Sequence, residues 1–212
     1  NIMYKKTVLR SCSHINEDDL SNAMINVGSV LECIKGLKKC KTPGSDNISS
    51  EHLIYADSIV GFYLSCLFNG MITHGYLPSQ FMDTTIITLV KAKKGLLCDK
   101  DNYRPIAITS AMSKLFELII LDQYKDNLKC TPHQFGFMKG QSTDMCVFSM
   151  KEVIDFYNSL SSPVYLCFLD ASKAFDKINH WCLFHKLLHR NMPRVIVRFL
   201  MVWYKTQTFK VR

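Results

Sequence analysis

Residues 164–180 read VYLCFLDASKAFDKINH. An apolar run ends abruptly at Asp170, small residues follow, and a second carboxylate, Asp176, comes soon after. A near-continuous apolar run suits a strand covered on both faces. A carboxylate at the C-terminal tip of such a strand lies where α/β sheets present their ligands. Two roles are open to Asp170. Its oxygens suit a hard divalent cation, or they can cap the turn that follows, as Asp commonly does. A phosphatase-type nucleophile would want another Asp two residues later, where Ser172 stands instead. Elsewhere, Cys182, His185 and His189 share one helix face by their spacing. Structural zinc takes four ligands and no fourth is evident, so packing explains these three more simply.

The chain that must position these groups has 212 residues, enough for one or two domains with a real core. Lys and Arg outnumber Asp and Glu by 26 to 18, a formal charge of +8. That excess favours a polyanionic partner but says nothing about fold. Nine cysteines lie at irregular spacing with no CxxC pair, which argues against a zinc ribbon and for a reducing, intracellular setting. No apolar run reaches the roughly 18 residues of a membrane span. The start, NIMYKKTVLRSC, has too broken an apolar segment for a signal peptide. A first residue that is not Met, and an ending in TFKVR, are expected of a piece of a longer chain.

Local patterns place the elements. Ser29 with Glu32 has the form of a capping box, and Val30, Leu31, Ile34 and Leu37 follow at helical spacing. Pro43-Gly44 marks a turn flanked by Lys38, Lys39 and Lys41. Residues 50–72 predict two helices with Asp57 as a cap between them, ended by Gly75 and Pro78. TTIITLVKA and RPIAIT predict strands on either side of a polar loop. Ser110 caps a helix expected to reach Leu128. An irregular basic segment, TPHQFGFMKGQST, precedes a helix to about Tyr157. After the strand at 164–169 come helices over 179–189 and 194–204 and a strand beginning at Thr208. Helices first, then alternating strands and helices, predict a mixed α/β fold.

FLDASKAFDKINH resembles the first palm motif of reverse transcriptases of the non-LTR (LINE-type) retrotransposons. KTPGSDNISSEHL, GYLPSQFMDTTIITLVKAKK, NYRPIAITSAMSKLFELII and HQFGFMKGQSTDM resemble, in order, upstream segments of the same family. Five such stretches in the right order are far more specific than any one of them. The resemblance implies a right-hand polymerase with residues 1–28 as an N-terminal extension or linker, 29–160 as fingers and 161–212 as the start of the palm. It implies an RNA template, a DNA primer and deoxynucleoside triphosphates as partners, Mg2+ or Mn2+ as cofactor, and a nuclear or cytoplasmic location without a membrane.

The same resemblance assigns roles. Asp170 matches the first metal-binding, catalytic carboxylate, and Ala171 a position whose backbone carbonyl assists the metal. Phe175 matches the bulky residue beneath the sugar that excludes a 2′-hydroxyl. Arg104 matches the arginine on the nucleotide triphosphate, with Lys91 or Lys93 as its lysine partner; a planar guanidinium suits phosphate because it makes two hydrogen bonds at once. Lys41, Gly136, Lys139 and Gly140 match template-binding positions. Met138 and Gln141 stand where the family commonly has arginines, and Asn47 replaces a frequent glycine. Asp176 is expected to be structural, a cap for the helix after it, and His180 to serve the same turn.

The family's remaining catalytic carboxylates lie in a downstream Tyr-x-Asp-Asp hairpin, followed by a thumb, and neither is expected within these residues. YADS at 55–58 is the nearest string, but it precedes Asp170, lacks the second Asp and has helical surroundings. Asp170 is therefore expected to supply one half of a metal site, and residues 1–212 alone are expected to be inactive. Two other readings are a non-catalytic nucleic-acid-binding remnant of a retroelement and an unrelated basic α/β module.

Overall fold

A computed structural model of the chain describes residues 2–91, 96, 98–171 and 174–212. It confirms a mixed helix and strand architecture. The chain forms two compact units: Asn1–Asn127 with Asn179–Arg212, and Leu128–Ile178.

The first unit begins with α1 (Ile2–Ser13) and α2 (Glu17–Ser21), so the segment expected as an extension or linker is helical. α1 packs on α9 (His180–His189) and α10 (Arg194–Thr206), and its Val8 is fully buried. α3 (Val27–Lys35) starts before the expected Ser29 cap. Asn26 takes the role, its Oδ1 accepting the Ser29 N–H at 2.7 Å. Asn and Ser cap about equally well, so the earlier residue wins by adding helical bonds. α4 (Ser50–Ile54) and α5 (Ile59–His74) are separated as expected, and Asp57 Oδ1 accepts the Ile59 N–H at 2.9 Å. Gly75 ends α5 at φ 61°, a left-handed conformation that favours glycine.

Helical spacing on α5 buries Leu64, Phe68, Met71 and Ile72 in one stripe. Asn69, on the same helix, holds the backbone before α3: its Oδ1 accepts the Ile25 N–H at 2.8 Å and its Nδ2 donates to Ile25 O at 2.9 Å. After the short α6 (Ser79–Met82), α7 (Ala111–Gln123) and α10 complete the core. Phe116 of α7 is fully buried, with ring centroids 5.1 Å from Phe68, 5.9 Å from Phe81, 5.1 Å from Phe199 and 5.5 Å from Trp203. α7 stops at Gln123 and not at Leu128. The chain turns there to bury Tyr124, whose hydroxyl donates to Asn22 O at 3.3 Å and whose pKa burial pushes up to about 12.

The sheet has the order β2-β1-β3. β1 (Asp83–Val90) and β2 (Tyr103–Ile108) form an antiparallel ribbon, with Leu89 opposite Arg104. β3 (Thr208–Val211) runs parallel to β1 on its other side. Asp83 bolts this edge: Thr208 Oγ1 and Lys210 Nζ each lie 2.7 Å from its carboxylate. The Lys210 ammonium and the Thr208 hydroxyl hold the Asp83 pKa below the usual carboxylate range.

The second unit contains α8 (Thr143–Ser159), capped by Ser142, whose Oγ accepts the Met145 N–H at 3.3 Å. The strand expected at 164–169 is absent: those residues are irregular, and Leu169 is 94% exposed. An extended run becomes a strand only when a neighbour satisfies its N–H and C=O groups. Among the described residues of this unit there is no other strand. Asp176 lies in a turn and does not cap α9; Asn179 does, its Oδ1 accepting from the Trp181 and Cys182 N–H groups. His180 opens α9 with its ring 4.9 Å from that of Tyr204.

Candidate nucleic-acid and nucleotide site

Three elements of the first unit surround a cleft of about 470 Å³. The loop after α3 contributes Lys38 and Lys41, β2 contributes Ile106, and the first turns of α7 contribute Lys114. Leu37, Ile48 and Leu118 are among its apolar lining. Lysine ammonium groups beside apolar surface suit a ligand with both phosphate and a less polar body.

The loop is shaped by contacts that its turn residues alone do not reveal. Lys39 Nζ donates to Tyr55 Oη at 2.9 Å and lies 4.9 Å from the ring centre. That hydrogen bond raises the Lys39 pKa and keeps the group cationic. The Cys40 N–H donates to Glu51 Oε1. Cys40 and Asn47 both take left-handed backbone, each at φ 57°. Asn tolerates that region better than most residues, which explains how it stands where glycine is frequent. Gly44 lies against the start of α7: a Cβ there would fall 2.8 Å from Ser110 Cα.

Backbone atoms cannot rotate away from such a clash. Gly44→Ala is therefore expected to lift the loop and destabilise the first unit by about 1–3 kcal/mol. Urea unfolding should show the loss, and hydrogen exchange should quicken at 40–48; unchanged protection there would refute the close packing.

Of the sequence-predicted nucleotide-binding residues, Arg104 lies on the β1–β2 ribbon and Lys91 directly beside it. Arg104 is exposed on β2, and strand alternation puts it on the same face as Ile106, which lines the cleft. Lys91 follows β1; its N–H donates to Asn102 O and its Nζ to Asp101 O, both at 2.7 Å. Its ammonium thus bends back onto the ribbon's own loop. Lys93 lies outside the described residues.

In the second unit Asp170 and Ala171 are exposed in irregular chain. Among the described residues no three His, Cys, Asp or Glu side chains gather as a metal cluster. In the first unit, His185 packs on Tyr4 and His189 at centroid distances of 5.0 and 4.4 Å. Phe175 is 73% exposed and meets the edge of Phe137 at 5.9 Å. That contact brings Phe175 to the Gly136–Gly140 segment, where Phe137 has φ 61° and Gly140 φ 79°. Lys139 is exposed, and a Cβ on Gly136 or Gly140 would meet nothing within 4 Å. Sequence reasoning missed Phe137, Glu51, Tyr55 and Lys114. Only the glycine at 136 and the basic neighbourhood hinted at the first and the last. YADS at 55–58 joins two helices, with Asp57 engaged as a cap.

The reverse transcriptase (RNA-dependent DNA polymerase) family profile matches residues 91–212. The chain is 30% identical to a probable RNA-directed DNA polymerase from transposon BS of Drosophila melanogaster, over 77% of this chain and 18% of that protein. It is 27% identical to the RNA-directed DNA polymerase from mobile element jockey of Drosophila funebris, over 84% of this chain and 20% of that one. The jockey polymerase of Drosophila melanogaster is likewise 27% identical, over 88% of this chain and 21% of its own length. The chain thus spans about a fifth of these relatives, between 18% and 21%.

Proposed function

The chain belongs to the reverse transcriptase (RNA-dependent DNA polymerase) family, and from that premise we propose that it forms part of the polymerase of a non-LTR retrotransposon, which copies an RNA template by extending a DNA primer. The family catalyses nucleotidyl transfer and generally depends on divalent metal. The observation that carries the proposal is the family match over 91–212 together with a lysine-lined cleft that joins the start of that span, at Ile106 and Lys114, to the upstream loop with Lys38 and Lys41.

In this reading residues 29–160 act as fingers and 161–212 begin the palm, with the rest of the palm and the thumb elsewhere in the polymerase. This division is functional, whereas the compact units follow packing, and β3 packs with β1. The Asp170 carboxylate and the Ala171 carbonyl are hard oxygen donors, the kind that Mg2+ or Mn2+ takes. They fit such an ion as part of a set, and the other carboxylates are those of the Tyr-x-Asp-Asp hairpin. When bound, a metal pair stabilises the attacking and leaving oxygens of the transfer. Arg104, with Lys91 or Lys93, holds the triphosphate of the incoming deoxynucleotide. For Lys91 this requires its ammonium to leave Asp101 O. Phe175 stands beneath the sugar and discriminates against a 2′-hydroxyl. Lys41, Gly136, Lys139 and Gly140 contact the template, with Lys38 and Lys114 beside Lys41 in the cleft.

The cysteines, all free, fit a reducing compartment, nucleus or cytoplasm. No helix among the described residues is long and apolar enough to cross a membrane.

RNA binding by residues 1–212 tests the proposal. Affinity should fall steeply with salt and vary little with sequence, each phosphate contact adding roughly 0.7–0.9 to the log–log slope. Lys38→Ala and Lys41→Ala should each flatten that slope. Lys39→Ala should do so less, because its ammonium is engaged with Tyr55. Salt-independent affinity would sink the electrostatic account.

A further inference from the structure

Lys38 and Lys41 sit on a loop with no regular structure between α3 and α4. Lysines on a mobile loop lose affinity to the cost of ordering it, so a loop held in place beforehand binds better. Cys40 lies between them, and its left-handed backbone is unfavourable for a side chain bearing Cβ. The group that holds this turn is on a neighbouring helix. Glu51, in the first turn of α4, accepts the Cys40 N–H through Oε1. The charge of that group is unusual for the role: a carboxylate holds the turn between two lysines to which the proposed function gives phosphate contacts.

We propose that Glu51 is a positioning residue, whose carboxylate holds the Cys40 turn so that Lys38 and Lys41 are presented to nucleic-acid phosphates. The inference rests on the RNA-binding role proposed above for the cleft. The hydrogen bond from Cys40 also keeps the Glu51 pKa below its ordinary value, so the carboxylate remains a strong acceptor at neutral pH. Gly44 against Ser110 and Lys39 on Tyr55 hold the flanks of the same loop. Glu51 is the contact that reaches its backbone between the two cleft lysines.

The charge makes the test sharp. Affinity of residues 1–212 for single-stranded RNA would be measured at one fixed salt concentration, alongside thermal melting. A bystander carboxylate near phosphates only repels them, so Glu51→Ala and Glu51→Gln would both tighten binding. A positioning carboxylate behaves otherwise. Glu51→Ala should weaken binding about tenfold, because the turn loses its acceptor. Glu51→Gln keeps an acceptor oxygen at the same reach and should bind at least as well as wild type. Glu51→Asp keeps the charge and suits the first turn of a helix, so it should fold, yet its shorter side chain cannot reach Cys40. It should bind as weakly as Glu51→Ala. Tighter binding by the Ala variant, or wild-type affinity in the Asp variant, overturns the inference alone. Absence of salt-dependent RNA binding in the wild type overturns the cleft's proposed role, and this inference with it.

Discussion

Asp170→Asn, introduced into a polymerase completed from a close relative, is expected to lower primer extension by several orders of magnitude while leaving thermal stability near wild type. Asn has nearly the shape of Asp and caps turns almost as well. Asp170 is exposed in irregular chain, so the substitution creates no cavity and buries no new polar group. What it removes is the negative charge that divalent ions need from their ligands. If Asp170 serves only the turn, extension should hardly change. Primer extension with matched melting curves separates the two. An active Asn variant would return Asp170 to turn capping and remove the central assignment of the proposed function.

The largest expected loss of stability lies elsewhere, at Phe116→Ala. The ring is fully buried and touches four other aromatic side chains, from α5, α6 and α10. Removing a buried Phe costs about 3–5 kcal/mol through lost burial and the cavity left behind. A native domain has about 5–15 kcal/mol in all. The first unit should therefore melt about 10 °C or more lower, or fail to fold. Both tryptophans, Trp181 and Trp203, belong to this unit, so their fluorescence reports its unfolding. Phe175→Ala is the control: its ring is 73% exposed, and its loss should cost under about 1 kcal/mol. A Phe116→Ala protein as stable as wild type would show that the aromatic cluster is not the core.

The helices and the β1–β2 ribbon were legible because their signals are local. Ser110, Asp57 and Gly75 act where their types predict, and the stripe on α5 is a matter of spacing. Boundaries failed where two residues compete for one role. Asn26 displaced Ser29, and Asn179 took the cap expected of Asp176. The strand at 164–169 failed for a different cause. Apolar composition marks a segment that can be buried, but strand structure needs a partner, and composition does not supply one.

By itself the sequence determined the family, the mixed α/β class and the positions of most helices. It did so because periodicity, caps and motif order are properties of neighbouring residues. Only the tertiary structure decided that β3 lies parallel to β1 and is bolted to Asp83, that Gly44 packs on Ser110, and that Glu51 reaches the Cys40 N–H. Each of these joins residues far apart along the chain or on separate elements. Their energies come from packing and from hydrogen bonds made only after the helices are in place, so no local pattern encodes them.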